Sequence, residues 1–195
     1  MALRNSSDKM PVGVIGAGSF GTAIANLLAE NGPVILYARR AEVVDAINRD
    51  KKNKGQEIHA DIFATTDIEQ ICGNCSLIFP SVPSNNFRAM MLEFAPFLRP
   101  DHILIHCTKG FDLKDITESQ LLDPELTLKP SQIYTMSEVI LEVCNVMRVG
   151  CLSGPNLSKE IANHQPAATV IASRFDEVIR EGQFAIRSKR FQAYG

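Results

Sequence analysis

The sequence predicts an α/β fold, in which helices cover both faces of a doubly wound, mostly parallel β-sheet. Short apolar runs alternate with segments of helical periodicity, which is the pattern of parallel strands joined by crossover helices. The first apolar run also ends in a glycine-rich turn at residues 16–21. The chain of 195 residues, 45% hydrophobic and 22% charged, has an ordinary globular composition, so we expect residues 1–195 to form one domain.

The first strand-helix-strand unit is the clearest part of this pattern. Residues 11–16 form an uninterrupted apolar run, which predicts a strand buried on both faces. Ile24, Leu27 and Leu28 then recur at helical spacing, and a second apolar run follows at residues 34–37. The unit therefore begins a parallel sheet.

The same alternation continues to the end of the chain. Further strands are predicted at residues 62–65, 77–82, 103–107, 149–153, 169–172 and 191–195. Further helices are predicted at residues 41–49, 87–98, 137–146 and 157–163 and after residue 176. Residues 112–132 are instead a long polar connection, which we interpret as an excursion from the sheet.

Charge and hydropathy exclude several classes of protein. A formal net charge of -2 provides no basic field for a nucleic-acid backbone, so we expect no nucleic-acid partner. Residues 1–10 lack an export signal, and no apolar run is long enough for a membrane span, so we expect a cytoplasmic protein. The four histidines form no evident catalytic triad. They are His59, His102, His106 and His164.

The five cysteines fit reduced thiols better than a disulfide framework. Cys72 and Cys75 have C-x-x-C spacing, but no second such pair or spaced histidine pair completes a zinc site, so we predict no metal. We interpret them as small buried thiols that flank a turn at residues 73–74, with redox or metal chemistry as the alternative.

The glycine-rich turn has the G-x-G-x-x-G pattern, placed between a strand and a helix as in Rossmann-like dinucleotide-binding domains. Gly16 permits the tight turn, Gly18 allows the backbone to approach a pyrophosphate, and Gly21 lets the helix pack closely on the strand. The free N–H groups of the helix would face the anion. The alternative is a tight turn without a ligand.

Two arginines follow the second strand, where a carboxylate would bind the ribose 2′-hydroxyl of NAD. Because Arg39 and Arg40 suit a 2′-phosphate, we predict NADP as the preferred cofactor. NAD remains the alternative, in which one arginine stacks on adenine or caps the sheet edge. The nearby Lys51, Lys52 and Lys54 are interpreted as a solvated edge.

Four short motifs together resemble one enzyme family. They are Gly-Ala-Gly-Ser-Phe-Gly-Thr-Ala at residues 16–23, Val-Pro-Ser at 82–84, Thr-Lys-Gly-Phe at 108–111 and Ser-Gly-Pro-Asn at 153–156. In this order they resemble NAD(P)-dependent glycerol-3-phosphate dehydrogenase over nearly the whole chain. That family interconverts glycerone phosphate and sn-glycerol 3-phosphate, a glycerophospholipid precursor. The resemblance implies an N-terminal NAD(P)-binding domain, with a homodimer as a candidate assembly of the full-length enzyme.

The resemblance also implies the site residues. Cofactor contacts would come from Gly16, Gly18, Ser19, Phe20, Gly21, Arg39, Arg40, Pro83, Lys109 and Ser158. Substrate contacts would come from Lys109, Gly154 and Asn156. Lys109 follows a predicted strand, so its ammonium should project from the carboxyl end of the sheet and attract a phosphate or polarise a carbonyl. The alternatives are a solvated Lys109 and an Asn156 that only caps a helix.

The chain departs from the family in three respects, one of which is that the connection at residues 112–132 is longer than in bacterial relatives. The family's enzyme continues into a helical second domain that supplies a proton-transferring lysine, and we expect these 195 residues to lack it and to turn over poorly alone. The loop at residues 51–60 also lacks the aromatic and Pro-Gly segment of the family. The alternative functions are another dehydrogenase, such as ketopantoate reductase or 3-hydroxyacid dehydrogenase, and a non-catalytic dinucleotide-sensing module.

Overall fold

The computed structural model describes residues 9–195. In chain order the strands are β1 (Val12–Ile15), β2 (Val34–Tyr37), β3 (Lys52–Asn53), β4 (Gln56–Glu57), β5 (Ile62–Thr65), β6 (Leu77–Pro80), β7 (Ile103–His106), β8 (Phe111–Leu113), β9 (Ile133–Thr135), β10 (Arg148–Ser153), β11 (Ala167–Ser173) and β12 (Phe191–Tyr194). The helices are α1 (Ser19–Ala29), α2 (Ala41–Asp50), α3 (Ile68–Asn74), α4 (Ser84–Phe94), α5 (Glu118–Leu121), α6 (Met136–Val143), α7 (Ser158–Ala162) and α8 (Asp176–Ile186).

Eight strands form one sheet in the order β12-β11-β10-β7-β6-β1-β2-β5. Neighbouring strands are parallel except β10 and β11, which run antiparallel. The mostly parallel sheet is therefore confirmed. The core of six strands, from β5 to β10, has the order of dinucleotide-binding sheets, to which β11 and β12 add an edge.

Each face of the sheet packs against its own set of helices. Val14 belongs to a buried cluster with α1, α7 and α8, whereas the next residue, Ile15, belongs to a cluster with α3, α4 and α6. Successive side chains of a strand point to opposite faces, so a strand covered on both faces is apolar throughout. This explains why β1 and β2 appear in the sequence as continuous apolar runs.

The direction of winding reverses at β1. From β1 the chain proceeds through β2 to β5 on one side of the sheet, and then returns to place β6, β7 and β10 on the other side. In open parallel sheets the crevice at such a reversal, outside the carboxyl ends of the strands, is where ligands bind. The carboxyl ends of β1 and β6 therefore mark the place to look for a site.

Two helices, α3 and α5, and two hairpins, β3–β4 and β8–β9, were not predicted from the sequence. Helix α3 begins after Asp67, whose carboxylate accepts a hydrogen bond from the N–H of Gln70. The prediction that Cys72 and Cys75 flank a simple turn was wrong, because Cys72 lies in α3 and Cys75 follows its last residue. Both thiols are buried, and burial raises the pKa of each to about 12. The neutral, buried thiols fit the packing role.

The long polar connection lies outside the main sheet, as predicted. Its ends, β8 and β9, pair as a small antiparallel hairpin, and the Arg88 guanidinium in α4 forms ion pairs with Asp112 and Glu142 at 2.7 Å each. The ion pair with Asp112 fastens the start of the excursion to α4, and the ion pair with Glu142 joins α4 to α6.

Within residues 9–195, no helix combines the length and apolarity that crossing a membrane requires. The polar start of the chain, used above to argue against an export signal, lies for the most part outside the described residues.

Candidate functional site

Two adjoining cavities follow the carboxyl ends of the central strands. The first, of about 310 Å³, is lined by Arg39 and Arg40, and we call it the arginine cavity. The second, of about 330 Å³, is lined by Lys109, and we call it the lysine cavity. Gly18, Val82 and Pro83 line both cavities, so the two form one continuous cleft across the reversal point of the sheet.

The three glycines of the turn differ in whether the fold has room for a side chain at their positions. Gly16 has a φ of +110°, and a Cβ there would lie 2.9 Å from the carbonyl oxygen of Ser81. A Cβ on Gly21 would overlap the carbonyl oxygen of Gly16. Gly18 has neither constraint, since no atom of residues 9–195 lies within 4 Å of its Cβ position. The fold therefore requires Gly16 and Gly21, whereas the space beside Gly18 is open.

The N-terminus of α1 opens at this turn. Its N-cap residue is Gly18, no side chain from the described residues caps the helix, and the first turn contains no acidic residue. The first N–H groups of a helix have no partner within the helix and carry a partial positive charge. An anion at the turn would satisfy them, so this end of α1 suits a pyrophosphate.

The lining of the arginine cavity contains three basic residues and one acidic residue, Glu93. Arg39 and Arg40 follow β2, and the Arg40 Nε lies 3.5 Å from the carboxylate of Glu42. Lys54 from the β3–β4 hairpin lines the cavity as well, which corrects the interpretation of Lys54 as part of a solvated edge only. Glu93 of α4 reaches the same cavity. The Glu93 carboxylate was not predicted as part of the site, because α4 is distant in the chain from β2.

The lysine cavity joins the ends of β7 and β10. The Lys109 ammonium donates a hydrogen bond to the carbonyl oxygen of Gly154 at 2.7 Å. The loop that carries Lys109 continues through Gly110, whose φ of +112° favours glycine. The ammonium is thus held at the rim of the cleft, on the carboxyl side of the sheet.

The side-chain amide of Asn156 has a fixed orientation. Its nitrogen donates to the hydroxyl oxygen of Thr169 at 2.9 Å, and that hydroxyl donates its own proton to the carbonyl of Ser153 at 3.1 Å. The amide oxygen of Asn156 is buried and has no hydrogen-bond partner within residues 9–195. Because buried polar atoms are normally paired, this oxygen is suited to accept a hydrogen bond from a ligand. The capping alternative is wrong, since the N-cap of α7 is Leu157.

The comparisons with known proteins identify the family of this chain. The family model described as NAD-dependent glycerol-3-phosphate dehydrogenase N-terminus matches residues 11–179. The chain belongs to this family. A curated relative, the glycerol-3-phosphate dehydrogenase (NAD(P)+) of Pseudomonas aeruginosa, is 36% identical over 193 residues, which cover 96% of this chain and 52% of the relative. The chain thus spans about half the length of the curated relatives it matches.

Solved structures share the fold of this glycerol-3-phosphate dehydrogenase family member. The glycerol-3-phosphate dehydrogenase of Coxiella burnetii has a TM-score of 0.76 at 22% identity. The matched region covers 95% of this chain and 53% of the Coxiella chain. A ketopantoate reductase of Ralstonia eutropha has a TM-score of 0.60 at 16% identity, and the match covers 94% of this chain and 56% of the reductase chain. At such identities the likeness shows the fold alone, so the family assignment depends on the family model.

The structure brings most of the predicted site residues of this family member into the cleft. The arginine cavity contains Gly16, Gly18, Arg39, Arg40 and Pro83. The lysine cavity contains Gly18, Ser19, Phe20, Pro83, Lys109 and Asn156. Gly21 lies beneath the turn, Gly154 touches the cleft through its bond to Lys109, and Ser158 starts α7 without lining either cavity. The roles assigned to all these residues stay predictions.

Sequence reasoning missed Ser81, which lines the lysine cavity. Its hydroxyl oxygen is buried beside the Cys107 thiol. A polar residue directly after the apolar run of β6 was the available signal. His106, at the end of β7, is a weak candidate for acid-base chemistry, because burial lowers its pKa to about 4 and its Nε2 lies 2.9 Å from the Ser137 hydroxyl.

A cavity of about 450 Å³, larger than either part of the cleft, lies between α1, the β3–β4 hairpin and α7. Its lining includes Asn26, Glu57 and His164 but none of the arginines or lysines of the cleft. It lacks the features that recognise a dinucleotide, so we place the candidate site of the dehydrogenase family member in the cleft.

Proposed function

We propose that this chain binds NADP or NAD in the cleft, with NADP preferred, as the cofactor-binding part of a glycerol-3-phosphate dehydrogenase. One observation carries the proposal. The uncapped start of α1 and the open space at Gly18 lie where the two cavities adjoin. Arginines line the first cavity, and a lysine lines the second. An extended ligand with a pyrophosphate at its centre matches this arrangement.

Different residues of the cleft would contact different parts of the cofactor. The N–H groups at the start of α1 would hold the pyrophosphate, and Arg39 and Arg40 would pair with the adenosine 2′-phosphate. When bound, NAD(P)H would supply the hydride that reduces glycerone phosphate to sn-glycerol 3-phosphate. Ser19, Phe20 and Pro83 line the part of the cleft nearest the lysine and would contact the cofactor there.

Lys109 and Asn156 would bind the substrate. The Lys109 ammonium can exchange the Gly154 carbonyl for an anionic or carbonyl oxygen of the substrate, which would attract a phosphate or stabilise developing negative charge. The free amide oxygen of Asn156 can accept a hydrogen bond from a substrate hydroxyl. We assign Gly154 to the same subsite and Ser158 to its cofactor side.

The proposal includes the setting of the enzyme. Residues 1–195 would act as one NAD(P)-binding domain, in the cytoplasm, in the synthesis of a glycerophospholipid precursor. A polypeptide of these residues alone would bind cofactor and turn over poorly, because in this family the proton-transferring lysine belongs to a second domain. A homodimer is the proposed assembly of the complete enzyme, and no nucleic-acid partner is proposed.

Calorimetric titration of the chain tests the cofactor assignment. We expect NADPH to bind about tenfold more tightly than NADH, because charge-assisted bonds to the 2′-phosphate add about 1.4 kcal/mol. The double substitution Arg39→Ala and Arg40→Ala should remove this preference and change NADH affinity less than about threefold. If neither coenzyme produces a saturable binding heat, the proposed function is wrong.

The substrate side is tested with Lys109→Met, which keeps the length of the side chain and removes its charge. We expect sn-glycerol 3-phosphate to bind the NADH-saturated variant about tenfold more weakly than the unmodified chain. Lys159→Met, in an exposed lysine of α7 outside both cavities, is the matched control and should bind like the unmodified chain. Equal affinities for both variants would refute the role of Lys109.

A further inference from the structure

The β3–β4 hairpin is attached to the glycine turn by two side chains. The amide nitrogen of Asn53 donates to the carbonyl oxygen of Ala17 at 2.9 Å and to the hydroxyl of Thr22 at 2.8 Å. The amide nitrogen of Gln56 donates to the carbonyl oxygen of Ser19 at 2.9 Å. These bonds join residues 31 to 37 positions apart, so the attachment is a feature of the tertiary structure.

The attachment fixes peptide groups of the turn. A peptide unit is planar and trans, so its C=O and the N–H of the next residue point in opposite directions. Because Asn53 holds the Ala17 carbonyl, the N–H of Gly18 is directed away from the hairpin, and Gly18 lines both cavities. Gln56 restrains the first residue of α1 in the same way. The N–H donors are thus oriented before a ligand arrives, which lowers the cost of binding.

The turn of the same hairpin places the cationic side chain of Lys54 at the arginine cavity. Strands β3 and β4 are joined by two residues, Lys54 with a φ of 51° and Gly55 with a φ of 74°. Positive φ at both positions is typical of a type I′ turn. This compact turn places Lys54 beside Arg39 and Arg40 at the cavity.

We propose that the hairpin of residues 52–57 is a positioning element of the dinucleotide site, in which Asn53 orients the glycine turn and Lys54 adds a third cation for the 2′-phosphate. The inference rests on the proposed function. It also gives a role at the arginine cavity to a loop, residues 51–60, that lacks the aromatic and Pro-Gly segment of the family.

Two substitutions separate the roles, with NADH, NADPH and adenosine 2′-monophosphate as calorimetric probes. Asn53→Ala should bind NADH and NADPH about tenfold more weakly and adenosine 2′-monophosphate unchanged, because that probe has no pyrophosphate. Lys54→Asn places a residue favoured at this turn position and removes the charge. It should weaken NADPH and adenosine 2′-monophosphate about fivefold and leave NADH unchanged.

Asn48→Ala is the matched control for Asn53→Ala. Asn48 is also half-buried and makes two hydrogen bonds, to the N–H and carbonyl of Ala64, away from the glycine turn. If Asn53→Ala does not fold, Gln56→Ala removes a single bond and should show the same selective loss. Equal effects of Asn53→Ala and Asn48→Ala, or an unchanged NADPH to NADH ratio in Lys54→Asn, would overturn the corresponding role. Failure of the unmodified chain to bind either coenzyme would refute the proposed function and this inference with it.

Discussion

Replacement of Gly18 by valine is expected to abolish dinucleotide binding and to leave the fold intact. Gly18 has a φ of -74° and a ψ of 177°, an extended conformation that valine adopts readily, and its Cβ position has no atom within 4 Å in the described part of the chain. The side chain would occupy the space assigned to the pyrophosphate. We expect affinity for NADPH and NADH to fall by at least about a hundredfold, or roughly 2.7 kcal/mol.

The free energy of unfolding distinguishes this effect from misfolding. Denaturation by urea should show that Gly18→Val changes it by less than about 1 kcal/mol, the cost of a poorer N-cap. Gly73→Val in α3 is the control, because that Cβ position also has open space around it but lies far from the cleft. Both variants should remain folded, and only Gly18→Val should fail to bind. Normal coenzyme affinity in Gly18→Val would place the pyrophosphate elsewhere.

The opposite behaviour is expected when Gly21 is replaced by alanine. Its Cβ would overlap the carbonyl oxygen of Gly16 and lie 3.3 Å from the Cβ of Ser81. Helix α1 would have to move away from β1, which disturbs the buried apolar cluster that both contribute to. We expect the free energy of unfolding to fall by roughly 3 kcal/mol, at the upper end of the usual cost of overpacking, and coenzyme binding to be lost.

Urea denaturation followed by circular dichroism measures this loss. Gly32→Ala is the control, because the nearest atom to its Cβ position is the flexible Lys9 side chain at 3.4 Å. A Gly21→Ala protein that is as stable as the Gly32→Ala protein would show that α1 does not pack on β1 as closely as described.

Local sequence patterns predicted most of the fold. The runs of β1 and β2 were identified because strands covered on both faces have no polar positions, and α1 because its apolar residues recur at helical spacing. Short elements were missed for the opposite reason. Helix α3 has seven residues, and β3 and β4 have two residues each, so periodicity had too few positions to be visible.

The candidate site was predicted in part for similar reasons. The glycine turn is a local feature, and Arg39 and Lys109 directly follow apolar runs, so each was placed at the carboxyl end of its strand. Ser81 and Lys54 were not predicted as site residues. Ser81 is a single polar residue without a motif, and Lys54 reaches the cleft only because a hairpin folds back on the turn.

The amino-acid sequence by itself determined the strand-helix units, the glycine turn and the family, because these depend on periodicity and on residues adjacent in the chain. Only the tertiary structure decided that the arginine and lysine cavities adjoin in one cleft, that the Asn156 amide oxygen has no hydrogen-bond partner among the described residues, and that Asn53 holds the glycine turn. The reason is physical. A hydrogen bond between side chains or backbone groups far apart in the chain depends on how the elements pack, and the hydrophobic pattern specifies only which face of each element is buried.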